Sequence, residues 1–223
     1  LIDLVLRLFD VDGGSITADD MDVRELDIEH WRSSIALVSQ SPFVFDGSVE
    51  DNIRIGRPEA SVEEVTAAAR AANIHDVIAA LPEGYQTDVG CEGTRLSTGQ
   101  RARLAVARAL LASPRILILD EATRSLDSET ESAVMRQIES LRGATTVLFV
   151  THRLDTARIA DRVAVLEDGR LQGQGGYEEL LEGNTLVQSL AANEDTTAEQ
   201  RYSENDSTVP IFDADEGVVD EDR

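Results

Sequence analysis

The sequence predicts an α/β fold whose core is a parallel sheet, with a helical subdomain inserted between two of the strands. Three short apolar runs have the length of buried strands, namely 35–38, 116–119 and 145–150. Helical patterns with alanine-rich segments fill most of the stretch between the first two runs, at about 41–112. Apolar strands that alternate with helices indicate a parallel sheet that is covered on both faces.

The other elements are predicted from local signals along the chain. The chain opens on a helical pattern formed by Leu1, Val5 and Leu8, and no capping residue precedes it. A helix that begins without a start signal suggests a truncated chain. We then expect, in order, strand 15–17, helix 27–32, helix 129–141, helix 154–159, strand 162–166, a hairpin at 168–169 and helix 177–181.

Composition limits the functions that the chain can serve. Its 43 acidic and 20 basic residues give a net charge of -23, and such a surface repels nucleic acid. No apolar run approaches the ~20 residues of a membrane-spanning helix. The single cysteine, Cys91, makes no internal disulfide, so we expect a reducing, cytosolic setting.

Two regions are expected along the chain. Residues 1–193 carry the alternating strands and helices and are predicted to form one domain. From Glu194 onwards the sequence consists mainly of polar and acidic residues with few apolar ones. We interpret 194–223 as a disordered acidic tail, because such a composition buries too little apolar surface to fold.

Polar residues follow each of the three predicted sheet strands. They are Gln40 after the first strand, Asp120 and Glu121 after the second, and Thr151 with His152 after the third. Ligands of open parallel sheets bind outside the carboxyl ends of the strands. If the three strands are neighbours, these groups converge on one edge of the sheet.

Asp120 and Glu121 have two interpretations. A carboxylate at the tip of a buried strand suits Mg²⁺, which takes oxygen ligands and often holds them through water. A second carboxylate beside it can position or deprotonate a water molecule. The plainer interpretation is that an aspartate caps the following helix, and the dipeptide by itself favours that one. The residues 122–127 that follow make the functional interpretation more specific.

The segment 96–100 also has two interpretations. Ser97 followed three residues later by Gln100 is a capping box, which would start the long helix after it. A helix N-terminus with a hydroxyl and with Gly99 for close approach is also suited to an anion. Both hold together if a capped helix end presents its amides to a phosphate.

These motifs, in this order, resemble the ATP-binding-cassette (ABC) family, over roughly residues 1–190. Residues 96–100 resemble its signature motif, 116–121 its Walker B strand with the catalytic glutamate, and 125–127 its D-loop. Gln40 resembles the Q-loop glutamine and His152 the switch histidine. The segments 40–48, 51–53 and 84–90 resemble exporters in particular. The resemblance implies an α/β fold with the parallel sheet core of a P-loop NTPase.

The resemblance also implies an ATPase that powers transmembrane export. Glu121 would be the general base and His152 would stabilise the γ-phosphate, while Asp120 and Gln40 would hold Mg²⁺. Nucleotide binding is implied for the set Gln40, Ser97, Gly99, Gln100 and Asp127. The implied partners are a second ABC ATPase domain, identical or different, and a transmembrane domain in the same or a separate chain. The implied location is the cytoplasmic face of a membrane, and nucleic acid is not an expected partner.

The sequence departs from the family pattern at three points. All of the 20 basic residues are arginines, so the Gly-x-x-x-x-Gly-Lys-Ser/Thr phosphate loop is not in this chain. Thr98 replaces a glycine of the signature motif, and Arg124 replaces a small residue at the start of the D-loop, near the expected dimer seam. We therefore expect the chain by itself to be inactive, cut just after its phosphate loop. The alternative is a non-hydrolysing fragment or interaction module, whereas a DNA-repair ATPase is disfavoured by the acidic surface.

Overall fold

The computed structural model describes residues 1–191. The chain divides into two units, Leu1–Thr151 and His152–Arg223, and each is considered by itself. The predicted tail, 194–223, lies outside the described residues, and the predicted domain limits at 1–193 and 41–112 remain predictions. No helix among the described residues is long and apolar enough to cross a membrane.

The first unit opens with small elements. They are helix α1 (Ile2–Val5), strands β1 (Thr17–Ala18) and β2 (Met21–Asp22), which pair antiparallel, and helix α2 (Ile28–Ser33). Helix α1 is shorter than the opening pattern predicted, and Arg7 has a φ of 52°. The cause is tertiary, because the Trp31 and Arg32 side chains donate to the carbonyls of residues 5–7 at 2.7–3.0 Å. Strand β2 was not predicted.

A three-stranded parallel sheet follows, formed by β3 (Ile35–Val38), β4 (Ile116–Asp120) and β5 (Thr146–Val150) in the order β3-β4-β5. This confirms the predicted α/β class and the parallel sheet core. Strand β4 is central, and its residues 117–119 are buried. A strand covered on both faces needs an unbroken apolar sequence, which explains why 116–119 lacks alternation.

The stretch between β3 and β4 is helical, as predicted. It contains α3 (Val49–Arg54), α4 (Val62–Ala71), α5 (His75–Ala79) and α6 (Thr98–Leu111). Capping boxes start α3, α4 and α6, so local signals decide where these helices begin. Helix α6 packs against α3 and α4, and the alanine-rich faces allow a close approach. After β4 the chain forms α7 (Ser128–Glu139), which leads into β5.

The second unit has its own small core. It contains α8 (Leu154–Arg158), the antiparallel pair β6 (Val163–Glu167) and β7 (Arg170–Gly175), and α9 (Tyr177–Gly183). The predicted hairpin is present, and Asp168 and Gly169 both have positive φ, as a tight hairpin turn requires. A helical segment at 185–191 is the last part described. The core consists of Leu154, Val165, Tyr177, Leu180 and Val187 with partly buried neighbours.

Candidate nucleotide site

The carboxyl ends of the three sheet strands lie at one edge of the first unit. Val38 of β3 is in register with Leu119 of β4, and Asp120 with Val150 of β5. The predicted condition for convergence, that these strands are parallel neighbours, is therefore met. Gln40 follows β3 at this edge and is exposed. Its predicted contacts with Mg²⁺ and nucleotide remain predictions.

The backbone at Glu121 departs from the strand that carries it. Its φ is 47°, in the left-handed region, which is uncommon for a residue other than glycine, asparagine or aspartate. The Glu121 N–H donates to the carbonyl of Val150 at 2.9 Å, so the turn is tied to the end of β5. Such backbone outliers cluster at functional sites, where the surrounding structure holds them.

Asp120 ends β4 and is half-buried. Among residues 1–191, no three His, Cys, Asp or Glu side chains are grouped as a ready metal site. Mg²⁺ commonly binds one or two protein carboxylates and completes its shell with water and substrate phosphates. Asp120 is the carboxylate in position for that role, and the role itself remains a prediction.

The start of α6 has the predicted capping box. The Ser97 hydroxyl accepts from the Gln100 N–H at 3.2 Å, and the Gln100 side-chain oxygen accepts from the Ser97 N–H at 2.8 Å. Ser97 and Thr98 are exposed, and the Thr98 hydroxyl accepts from Arg101 at 3.2 Å. The structural interpretation of this motif is therefore confirmed, while its nucleotide-binding interpretation stays a prediction.

Gly99 brings α6 against the segment that follows Glu121. A Cβ at this glycine would lie 3.1 Å from the Ser125 carbonyl oxygen and 3.7 Å from a methyl carbon of Leu126. The first distance is shorter than an ordinary van der Waals contact. The signature-like and D-loop-like segments are thus packed on each other within one chain, a contact that the sequence spacing did not predict.

Asp127 caps α7 and faces the positive charge of α6. Its carboxylate accepts from the Thr130 N–H at 2.9 Å. This hydrogen bond, together with the Thr130 hydroxyl and the charge of Arg103, holds the pKa of Asp127 below its usual range. Partial burial lowers the pKa of the Arg103 guanidinium, and Asp127 acts in the opposite direction. Asp127 therefore has a structural role, beside its predicted contact with nucleotide.

The segment that follows Gln40 is held by a buried polar cluster. Asn52 is 0% exposed, and its amide exchanges hydrogen bonds with the backbone N–H and carbonyl of Phe45 at 2.9 and 2.8 Å. Arg108 donates to the Asn52 carbonyl and side-chain oxygens and to the Phe43 carbonyl at 2.9–3.0 Å. Burial lowers the pKa of Arg108. Asn52, in the exporter-like segment 51–53, therefore has a structural role, because it fixes the backbone of the segment that follows Gln40.

His152 is the first residue of the second unit, directly after Thr151. It is exposed and precedes the start of α8. Asp120 and Glu121 belong to the first unit, whereas His152 belongs to the second. The γ-phosphate contact predicted for His152 remains a prediction.

Sequence reasoning missed one contact at the Glu121 carboxylate. Arg124 donates from Nη1 to Oε2 of Glu121 at 3.1 Å. A glutamate followed three residues later by an arginine was a usable signal, since residues with this spacing meet across a helical turn. The sequence alone places Arg124 only near the expected dimer seam.

Comparison with known proteins agrees with this arrangement. The family model described as ABC transporter matches residues 1–124. The human protein "ATP-binding cassette sub-family B member 5" is 43% identical over 195 residues, which is 87% of this chain and 16% of the relative. "Heterocyst differentiation ATP-binding protein HepA" of Nostoc is 47% identical over 182 residues, which is 82% of this chain and 30% of the relative.

A solved structure is also similar. It is described as the structure of a bacterial Atm1-family ABC exporter with ATP bound, with a TM-score of 0.83 and 37% identity. The match covers 86% of this chain and 34% of that one, so the chain spans about a third of its length. This chain belongs to the ABC transporter family. It corresponds to the family's nucleotide-binding domain of exporter type, with the P-loop NTPase fold that the resemblance implied.

Proposed function

We propose that this chain is the ATP-binding and ATP-hydrolysing part of an ABC exporter, acting at the cytoplasmic face of a membrane. The observation that carries the proposal is the end of β4, where Asp120 and Glu121 follow a buried strand and Glu121 takes a left-handed backbone. Ordinary helix capping does not require this conformation. A left-handed turn that carries a carboxylate beside Asp120 supports a functional role, because such outliers are common at functional sites.

Glu121 serves as the general base in this proposal. Its carboxylate accepts a proton from water, the water oxygen bonds to the γ-phosphorus, and the bond from phosphorus to the β–γ bridging oxygen breaks. Phosphoryl transfer depends mostly on positioning and on charge stabilisation. Bound Mg²⁺ would neutralise charge on the phosphates, and Asp120 and Gln40 would hold it. His152 would contact the γ-phosphate.

A second ATPase domain, identical or different, completes the site. The α6 start would face nucleotide bound to the partner, with the Ser97 hydroxyl and the backbone near Gly99 as contacts. Gln100 and Asp127 support that surface through the capping box and the α7 cap. Gln40 would couple the site to a transmembrane domain in the same or another chain.

The phosphates would be held by a lysine-bearing loop that these 223 residues do not contain. Without that loop the chain has lost its strongest phosphate cradle, so we expect it to bind and hydrolyse ATP poorly by itself. The alternative function is a non-hydrolysing module, and the lack of any lysine is the observation that favours it. An intact Glu121 and His152 favour the ATPase.

The test is the Glu121→Gln variant of the full-length protein. We expect a loss of ATP hydrolysis of at least about 100-fold, with ATP affinity unchanged, because the amide cannot accept the proton but keeps the side chain's shape. Glu129→Gln, an exposed glutamate in the first turn of α7, is the control and should hydrolyse normally. Wild-type turnover by Glu121→Gln would refute the role, and a wild type without turnover would favour the non-hydrolysing module.

A further inference from the structure

Arg124 is tied to Glu121 by its backbone as well as by its side chain. The Arg124 N–H donates to the Glu121 carbonyl at 3.1 Å, which closes a turn directly after the left-handed residue. The guanidinium then returns to the carboxylate, with Nη1 at 3.1 Å from Oε2. Both contacts depend on the same turn, so the ion pair is built into the end of β4.

The two side chains differ in exposure. The Arg124 side chain is 60% exposed and that of Glu121 is 24% exposed. Exposed ion pairs contribute about 0–1 kcal/mol to stability, so this pair adds little to the fold. A hydrogen bond from a guanidinium to one oxygen does, however, restrict the orientation of the carboxylate. The effect of the pair falls on the orientation of the Glu121 side chain.

Two other charged side chains of this region make contacts of their own. The Glu131 carboxylate accepts from the Thr123 hydroxyl at 2.7 Å, which braces the turn against α7. Arg103, the nearby cation of α6, donates to the Asn73 carbonyl at 2.6 Å. The Arg124–Glu121 contact is present beside these two contacts.

We propose that Arg124 is a positioning residue for ATP hydrolysis, which holds the Glu121 carboxylate in one orientation. The inference rests on the proposed function, in which Glu121 takes the proton from water. A general base acts well only when its carboxylate is held in the geometry that reaches the water molecule. The turn closed by the Arg124 N–H keeps the guanidinium beside the Glu121 carboxylate, and this contact restricts the carboxylate's rotation.

The experiment compares steady-state ATP hydrolysis by Arg124→Ala and Arg124→Lys in the full-length protein. We expect Arg124→Ala to lower kcat about tenfold with KM within about twofold of wild type, since the base is misplaced but nucleotide contacts are kept. Arg124→Lys should recover part of kcat, because its ammonium group can still donate to the carboxylate but lacks the planar fork. Arg57→Ala removes an exposed arginine that pairs with Glu64 in the helical subdomain, and this control should hydrolyse normally.

Other results would overturn the inference. A changed KM with unchanged kcat would instead assign Arg124 to nucleotide binding or to the dimer seam. A raised kcat would mean that the pair restrains the base. If Arg124→Lys behaved like Arg124→Ala, a donor at this position would not be what orients the carboxylate, and the positioning role would fail. Glu121→Gln is measured alongside: if it hydrolyses normally, the proposed function fails, whereas a dead Glu121→Gln with a normal Arg124→Ala refutes only the positioning role.

Discussion

The end of β4 (residues 120–124) and the start of α6 (residues 96–100) follow different rules. At the α6 start, Ser97 and Gln100 satisfy each other's backbone in a capping box. At the β4 end, Glu121 takes a left-handed backbone that an ordinary side chain disfavours. The α6 start is thus stabilised by its own sequence, whereas the β4 end is held by its neighbours. Left-handed backbone also occurs at Arg7, Asn73 and Ser113, so the β4 end differs from those positions in that its left-handed residue carries the carboxylate proposed as the general base.

The largest expected effect tests whether the two regions depend on each other. Gly99→Val places a branched side chain where a Cβ alone would lie 3.1 Å from the Ser125 carbonyl oxygen. We expect it to lower the free energy of unfolding by about 1–3 kcal/mol, because the α6 start must move away from the turn. Urea unfolding measures this. The exposed neighbour Thr98→Val should change stability by under about 0.5 kcal/mol, and equal effects would contradict the packing argument.

The second prediction concerns the capping box at the start of α6. Ser97→Ala removes the hydroxyl that accepts from the Gln100 N–H, and we expect a loss of about 1 kcal/mol in the free energy of unfolding. Ser132→Ala is the control. Its hydroxyl donates to the Ser128 carbonyl in the body of α7 at 2.7 Å, a bond that adds little to helix stability. A loss from Ser132→Ala as large as that from Ser97→Ala would argue against the cap.

The third prediction has the opposite sign. A left-handed backbone costs about 1–3 kcal/mol for an ordinary residue, and Glu121→Gly removes that cost. The greater freedom of glycine in the unfolded chain lowers stability by about 0.5–1 kcal/mol. We expect a net gain of about 0.5–1 kcal/mol in unfolding free energy, together with loss of hydrolysis. Glu131→Gly, inside α7, should destabilise. A loss of stability in Glu121→Gly would show that the left-handed backbone at Glu121 does not destabilise the protein.

The smallest expected effect distinguishes the charged cap of α7, Asp127, from the neutral cap of α6, Ser97. The Thr130 N–H and hydroxyl hold the folded-state pKa of Asp127 below its ordinary value of 3.8. This stabilisation is therefore complete above the unfolded pKa and is lost as the pH falls through the folded one. Asp127→Asn should make the free energy of unfolding fall less as the pH is lowered, and urea unfolding at a series of acidic pH values measures this. Ser97→Ala should lower the free energy of unfolding by the same amount at every pH. If its effect changed at acidic pH, the distinction between a charged and a neutral cap would be contradicted.

Much of the fold could be predicted because its signals are local. Strand β3 has the predicted limits, and β4 and β5 differ from prediction by one residue at one end. The capping box of α6 and the hairpin at 168–169 were also predicted. Each of these depends on residues within a few positions of one another. Apolar runs, capping residues and turn residues therefore carry that information in the sequence itself.

The site was predicted in its residues but not in its contacts. Asp120, Glu121, Ser97 and Gly99 were chosen from motif order. The Arg124 ion pair and the packing of Gly99 on Ser125 were not predicted. The opening helix was overestimated for a similar reason, since Trp31 and Arg32 bind its last carbonyls from about 25 residues away.

The sequence by itself determined the α/β class, the order of the elements and the identity of the chemical groups. Those properties follow from periodicity, capping and composition, which act over short distances along the chain. Only the tertiary structure decided that Glu121 turns left-handed against the end of β5 and that Gly99 meets Ser125. Such details depend on packing between segments far apart in sequence, where local preference is overridden by the energy of the whole arrangement.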